Sequence, residues 1–184
     1  MEPRTLLQGR SVRLRPLTDG DRTRIVAIRR APQVARWWRG EDLDREFVAA
    51  LDDEDVHQFA IETAGGDVVG MIQFSEEPDP EYRHASIDIF VDPAAHRRGY
   101  ATDAIRTLAR HLFDDRSHHR LVIDPAADNH AAIACYAGVG FRPVGVMRAY
   151  ERRADGSWSD GLLMDMLRSD QGARPPDVRG AGPA

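Results

Sequence analysis

Apolar and polar residues alternate through SVRLRPL (11–17), the period-two pattern of a half-buried strand. Thr18 or Asp19 then caps a helix to about Ala31, with Ile25 and Ile28 on one face. A second helix is predicted from about Asp42 to Leu51, where Leu43, Phe47 and Leu51 recur at a spacing of four. HQFAIETAGGDVVGMIQF reads as two strands joined at Gly65-Gly66, a hairpin signal. The acidic loop EEPDPEYR leads into a third, HASIDIFV (84–91). GYATDAIRTLARHLFDD (99–115) is an amphipathic helix whose buried stripe is Ala101, Ala104, Ile105, Leu108 and Leu112. HRLVIDP (119–125) is a strand stopped by proline, and NHAAIACYAGVG (129–140) a helix between an Asn129 cap and Gly140. Strands at about 144–152 and 158–167 flank ADGS as a final hairpin. The order β-α-α-β-β-β-α-β-α-β-β predicts a mixed α/β domain over residues 1–168, with a mostly antiparallel twisted sheet of about seven strands and flanking helices. The Pro/Gly/Arg-rich stretch 169–184 is expected to be a disordered tail.

HASIDIFV poses a chemical question. Ala85, Ile87, Ile89 and Val91 share one face, and His84, Ser86, Asp88 and Phe90 the other. An unpaired buried carboxylate costs several kcal/mol, so Asp88 has a partner, meets water, or awaits a cation.

Composition narrows the answer. A chain of 184 residues, 42% apolar, can bury a real core. A net charge of −5 and a pI near 5.8 argue against nucleic-acid and anionic-membrane partners and suit a cationic one. The apolar runs are too short for a membrane span, and MEPRTLLQGR lacks a signal-peptide core, so a cytoplasmic protein is expected. All 25 basic residues are arginine, which excludes Schiff-base and P-loop lysine chemistry. The single cysteine, Cys135, cannot form an internal disulfide and has no evident activating base. The seven histidines show no metal-ligand spacing, so no metal is expected; His84, on the Asp88 face, is a minor candidate base.

Two loops carry chemistry. In DPAAHRRGYATDA (92–104), Gly99 opens a helix beside Arg97 and Arg98, a combination that suits a phosphate cradle as well as an ordinary strand-to-helix turn. Together with IDPAADNHAAIACYAGVGF (123–141), this segment resembles the GNAT family, which moves acetyl from acetyl-CoA to amines. The family's loop, Arg/Gln-x-x-Gly-x-Gly/Ala, is His96-Arg97-Arg98-Gly99-Tyr100-Ala101 here, with histidine departing at the first position. Its second signature is met by Asn129, Ala132, Tyr136, Gly140 and Phe141, and the resemblance covers roughly residues 10–168. It implies the GNAT fold. Backbone amides of Arg97, Arg98, Gly99, Tyr100, Ala101 and Thr102 would hold the CoA pyrophosphate, and the Phe90–Val91 backbone would pair with the pantetheine arm. Asn129 would contact that arm. Tyr136, which could also be a core aromatic, would lie near the thioester sulfur and protonate the departing thiolate.

A narrower likeness joins RWWRGEDLDREF (36–47), SIDIF, VIDP and DNHAAIACY, which are similar to bacterial aminoglycoside 6′-N-acetyltransferases. It implies that Asp88 and Asp124 line the acceptor pocket and orient the amine, with Trp37 and Trp38 beside it; the tryptophans could equally be core or lid. A carboxylate can bind an ammonium and accept its proton. Glu76, Glu77, Asp79 and Glu81, with Glu41, Asp42 and Asp44, would form an acidic rim or simply a solvated surface. Both ends of the chain look instead like the ribosomal-protein and peptide N-terminal acetyltransferases, so an α-amine acceptor stays open. So does a non-catalytic acyl-CoA sensor, and so does a homodimer. The expectation is direct transfer of acetyl from acetyl-CoA to a cationic small-molecule amine, with an aminoglycoside 6′-amine foremost and antibiotic resistance as one role.

Overall fold

The computed structural model describes residues 5–171. Its elements are β1 (Leu7–Gln8), β2 (Val12–Pro16), α1 (Arg22–Arg30), α2 (Pro32–Ala35), α3 (Leu43–Leu51), β3 (Val56–Thr63), β4 (Val68–Glu77), β5 (His84–Val91), α4 (Tyr100–Asp114), β6 (Arg120–Ile123), α5 (His130–Val139), β7 (Arg142–Arg152) and β8 (Trp158–Leu167). The strands form one sheet in the order β1-β2-β3-β4-β5-β6-β8-β7. Eight strands replace the expected seven because two residues before the first expected strand pair with it, Leu7 opposite Leu14 and Gln8 opposite Arg13.

Local chemistry accounts for the elements. Gly66, at a φ of 88°, turns the β3–β4 hairpin. Asp42 caps α3 by accepting from the Arg45 amide at 3.1 Å, and Asn129 caps α5 through the Ala132 amide at 3.2 Å. Pro32 opens the short α2, four residues that no apolar period announced.

Each face of the sheet has its own core. The α4 stripe Ala104, Ile105, Leu108 and Leu112 is fully buried with Leu14, Ile61, Ile72 and Ile87. On the other face Ile25, Ile28, Val34 and Phe47 from the first three helices pack with Ala60, Met71 and Phe90. Asp88 shares strand parity with Phe90 and so belongs to this second face.

Every strand pair is antiparallel except β5 with β6, which run parallel and meet only at Ala85↔Leu121 and Ser86↔Val122. Beyond Ser86 the two diverge, because Asp124-Pro125 ends β6 and turns toward β8: the Leu162 amide donates to the Pro125 carbonyl at 2.8 Å, and Ala126 bridges to Gly161. The sheet is therefore open beside Ile87–Val91. A short turn at Arg168–Asp170 follows β8, with Asp170 bound to Arg142 at 2.7 Å. Most of the expected disordered tail, residues 172–184, lies outside the described residues. Among the described residues no helix is long and apolar enough to cross a membrane.

Candidate active site

Groups from both faces meet where the sheet opens. Asp88 comes from the middle of β5, and its Oδ2 accepts from the Gln73 side-chain amide at 3.2 Å, directly across the β4–β5 ladder. Asp88 is exposed to solvent at the opening, although the protein around it thins its hydration. Loss of hydration pushes its pKa above the ordinary carboxylate value; the Gln73 hydrogen bond opposes the shift, and the negative charge of Asp124 adds to it. Tyr136 reaches the same space from α5. It is 9% exposed and packs against Phe141 at 6.5 Å between ring centroids. Burial raises its phenol pKa strongly, and Cys135, Asp88 and Asp124 raise it further, so the hydroxyl keeps its proton.

Tyr150, on β7, completes the group. The neighbouring Asp124 carboxylate holds its phenol pKa up at about 12, with burial the next cause. Nothing in the local sequence marks this residue, because its position depends on a bulge. Met147 pairs with Gly161 and Glu151 with Ser159, so three residues on β7 oppose Asp160 alone. Within the bulge Ala149 sits at a φ of 49°, a left-handed conformation that costs a non-glycine residue roughly 1–2 kcal/mol. Its amide donates to Asp160 Oδ1 at 2.8 Å, which holds the distortion in place.

The loop before α4 has the form of an anion cradle. Arg97 and Gly99 lie in the left-handed region, at φ values of 62° and 80°. The first-turn amides of Tyr100, Ala101 and Thr102 have no acceptor within the helix, and a Cβ built on Gly99 would meet nothing within 4 Å. His96, the departure from the expected loop pattern, points its Nε2 at the Val91 carbonyl at 3.0 Å. A contact with a carbonyl requires the Nε2–H tautomer, so the histidine ties the loop to the end of β5 and occupies part of the Val91 backbone. Asn129 uses Oδ1 for its cap and keeps its amide nitrogen for other partners.

Residues 11–142 match the family model described as an acetyltransferase (GNAT) domain. The chain belongs to the GNAT family. It is an acetyl-CoA-dependent N-acetyltransferase by that membership and by its relatives. It is 27% identical to the aminoglycoside N(6′)-acetyltransferase type 1 of Klebsiella pneumoniae, over 88% of this chain and 84% of that one. It is 31% identical to the N-alpha-acetyltransferase RimI of Mycobacterium tuberculosis, over 74% of this chain and 85% of that one. The spermidine N-acetyltransferase from Vibrio cholerae, solved in complex with CoA and spermine, superposes with a TM-score of 0.75 at 22% identity, covering 87% of this chain and 97% of that one.

In this GNAT chain Trp37 and Trp38 line a groove of about 1170 Å3 between the α2–α3 segment and the β7–β8 turn. Trp38 lies edge-on to Phe90, with 4.9 Å between ring centroids, two residues along β5 from Asp88. Trp37 carries the Arg36 guanidinium over its ring at 4.4 Å. Ala126, two residues past Asp124, bounds the same groove. Arg36, Arg39, Arg152 and Arg153 alternate with Glu41, Glu46, Glu151 and Asp155 on its walls, and Arg39 reaches Glu151 across it at 2.7 Å.

The acidic rim does not assemble as expected. Glu76 pairs with Ala85 and so lies on the face opposite Asp88, bonded to Arg116 and to His118. Asp44 is held by Arg22 and Arg30, and Asp42 is spent on the α3 cap. His84 sits at the far end of β5, with Nδ1 against the Tyr82 carbonyl at 2.7 Å. Cys135 lies 3.6 Å from the Thr102 hydroxyl, beneath the cradle.

Proposed function

We propose that this enzyme acetylates a primary amine held as a cation by Asp88 and Asp124, with Asp88 taking its proton and Tyr136 donating one to the leaving sulfur. The observation that carries this reading is the convergence of two carboxylates and a protonated phenol where the sheet opens between β5 and β6. The cradle fits the cofactor: the amides from Arg97 to Thr102 suit a pyrophosphate. The edge of β5 that faces the opening at Phe90–Val91, where His96 takes the Val91 carbonyl, suits an extended arm along the backbone that is left. When bound, acetyl-CoA supplies an activated acetyl thioester and a thiol leaving group.

The residues divide the remaining work. An ammonium has no lone pair to offer until it loses a proton, so a nearby carboxylate must both attract it and accept that proton. Asp88, with its raised pKa, holds an accepted proton better than an ordinary carboxylate. Tyr136 keeps its own proton until negative charge develops beside it. Cys135 has no part in this direct transfer.

The aminoglycoside 6′-amine is the acceptor supported by the paired carboxylates and by the Klebsiella relative. A peptide α-amine is the second reading, favoured by the open groove with walls of both charges and by the RimI relative. A panel of kanamycin-like amines and short peptides with free amino termini, assayed by thiol release from acetyl-CoA, tests both. Turnover of at least one class is expected. Binding of acetyl-CoA with no thiol release across the panel would support a sensor instead.

A further inference from the structure

A second pocket, of about 390 Å3, lies between α1, α3 and the face of β3 and β4 that carries the smaller core. Arg29 and Trp38 line both this pocket and the larger groove, so the two adjoin. Strand register ties the pocket to Asp88. Gln58 pairs with Gln73 across β3 and β4, and Gln73 pairs with Asp88 across β4 and β5. The three side chains therefore form one row, and Gln73 donates its amide to Asp88 at 3.2 Å. With strands about 4.8 Å apart, Gln58 stands about 10 Å from Asp88 along that row.

Two polar atoms of this pocket are left over. Gln58 donates its amide nitrogen to the Ala50 carbonyl at 2.9 Å, which fixes the amide, and its Oε1 is buried without a partner. Arg29 is 8% exposed and uses one terminal nitrogen on the Arg39 carbonyl and on Glu46, each at 2.9 Å. Its Nε–H is buried without a partner as well. Among the described residues only three buried side-chain atoms have no partner, and two of them belong to this one pocket. Buried groups left in this state favour a ligand that completes them.

We infer that this pocket is an acceptor subsite for a hydroxylated ring, as in an amino sugar, with Arg29 and Gln58 selecting it. The inference rests on the proposed amine site at Asp88. Glu46 already answers the charge of Arg29, so what is wanted is a neutral group that accepts from Nε–H and donates to Oε1. A hydroxyl does both. An ammonium has nothing to offer Arg29, and a carboxylate cannot donate to Gln58 and would meet Glu46. Ile25, Phe47 and Met71 supply apolar walls for the C–H face of a ring.

Calorimetric titration in the presence of CoA, beside thiol release from acetyl-CoA, tests the subsite with kanamycin, spermidine and short peptides. Wild type should turn over kanamycin and bind it at least about 10-fold more tightly than spermidine, a polycation without hydroxyls, the range for one or two hydrogen bonds. Arg29→Lys keeps a charge for Glu46 and deletes the Nε–H; Gln58→Met deletes the oxygen at similar length. Each should weaken kanamycin about 10-fold, leave the weaker spermidine binding as it was, and leave the KM for acetyl-CoA unchanged. If a variant fails to fold, the wild-type comparison of kanamycin with spermidine still decides. Equal weakening of both ligands, unchanged kanamycin binding, or turnover of spermidine or peptides without kanamycin would overturn this inference alone, provided that Asp88→Asn and Tyr136→Phe lose turnover. If those two variants keep wild-type turnover, or no amine is turned over, the proposed amine site fails and this inference with it.

Discussion

Asp88 stands on a strand whose neighbouring positions are isoleucines, and the architecture gives that charge a place. It faces away from the α4 core, into the opening between β5 and β6, with an amide on one side and a second carboxylate on the other. Its raised pKa has a consequence for stability. The folded protein holds the Asp88 proton more tightly than the unfolded chain, so stability falls as pH rises from the unfolded value through the folded one, and stays lower above it. Asp88→Asn removes the charge and keeps the Gln73 contact. It should therefore melt at a higher temperature than wild type at neutral pH while losing about 10²–10⁴ in kcat, the range for a general base. Calorimetry beside a steady-state assay checks both, and a lower melting temperature would contradict the assigned environment. Asp88, Asp124 and Tyr136 could be proposed from the sequence because a polar residue in an apolar strand, an Asp-Pro at a strand end and a family signature each mark themselves. Tyr150 and Gln73 were not, because one depends on a bulge built on an alanine and the other on the β4–β5 register.

At the scale of elements, two glycines make separable predictions. A Cβ on Gly70 would lie 2.2 Å from the Phe90 carbonyl oxygen, so Gly70→Ala forces β4 away from the strand that carries Asp88. It should cost about 1–3 kcal/mol in urea unfolding, as overpacking does. Gly99→Ala meets no neighbour, but its φ of 80° disfavours a side chain. Roughly 1–2 kcal/mol of strain is expected there, with weaker acetyl-CoA binding by calorimetry and an intact fold. Hairpins and the long helices were readable from turn residues, caps and periodicity. β1 and α2 were not, since two and four residues carry no period and form because of what they pack against.

The whole molecule is tied together by ion pairs that cross elements, and Glu76 is the clearest case. Reached by Arg116 following α4 and by the buried His118 preceding β6, it sits on the α4 face of β4. Burial alone would raise its pKa, but the hydrogen bonds from Arg116 and His118 outweigh burial and bring it down to about 2, from 4.5. The folded value lies below the unfolded one, so this stabilisation is complete above about pH 4.5 and is lost as pH falls toward 2. Acid unfolding should show a loss of roughly 2–3 kcal/mol across that window, flattened in Glu76→Gln. The same residue marks the limit of sequence reading for charge: a run of acids looks like one surface until strand parity sends its members to opposite faces. The central claim concerns the opening in the sheet, and thiol release from acetyl-CoA with a confirmed amine acceptor tests it most directly. Asp88→Asn, Asp124→Asn and Tyr136→Phe should each lose turnover while still binding CoA. Wild-type turnover in all three would contradict the assignment of that opening as the active site.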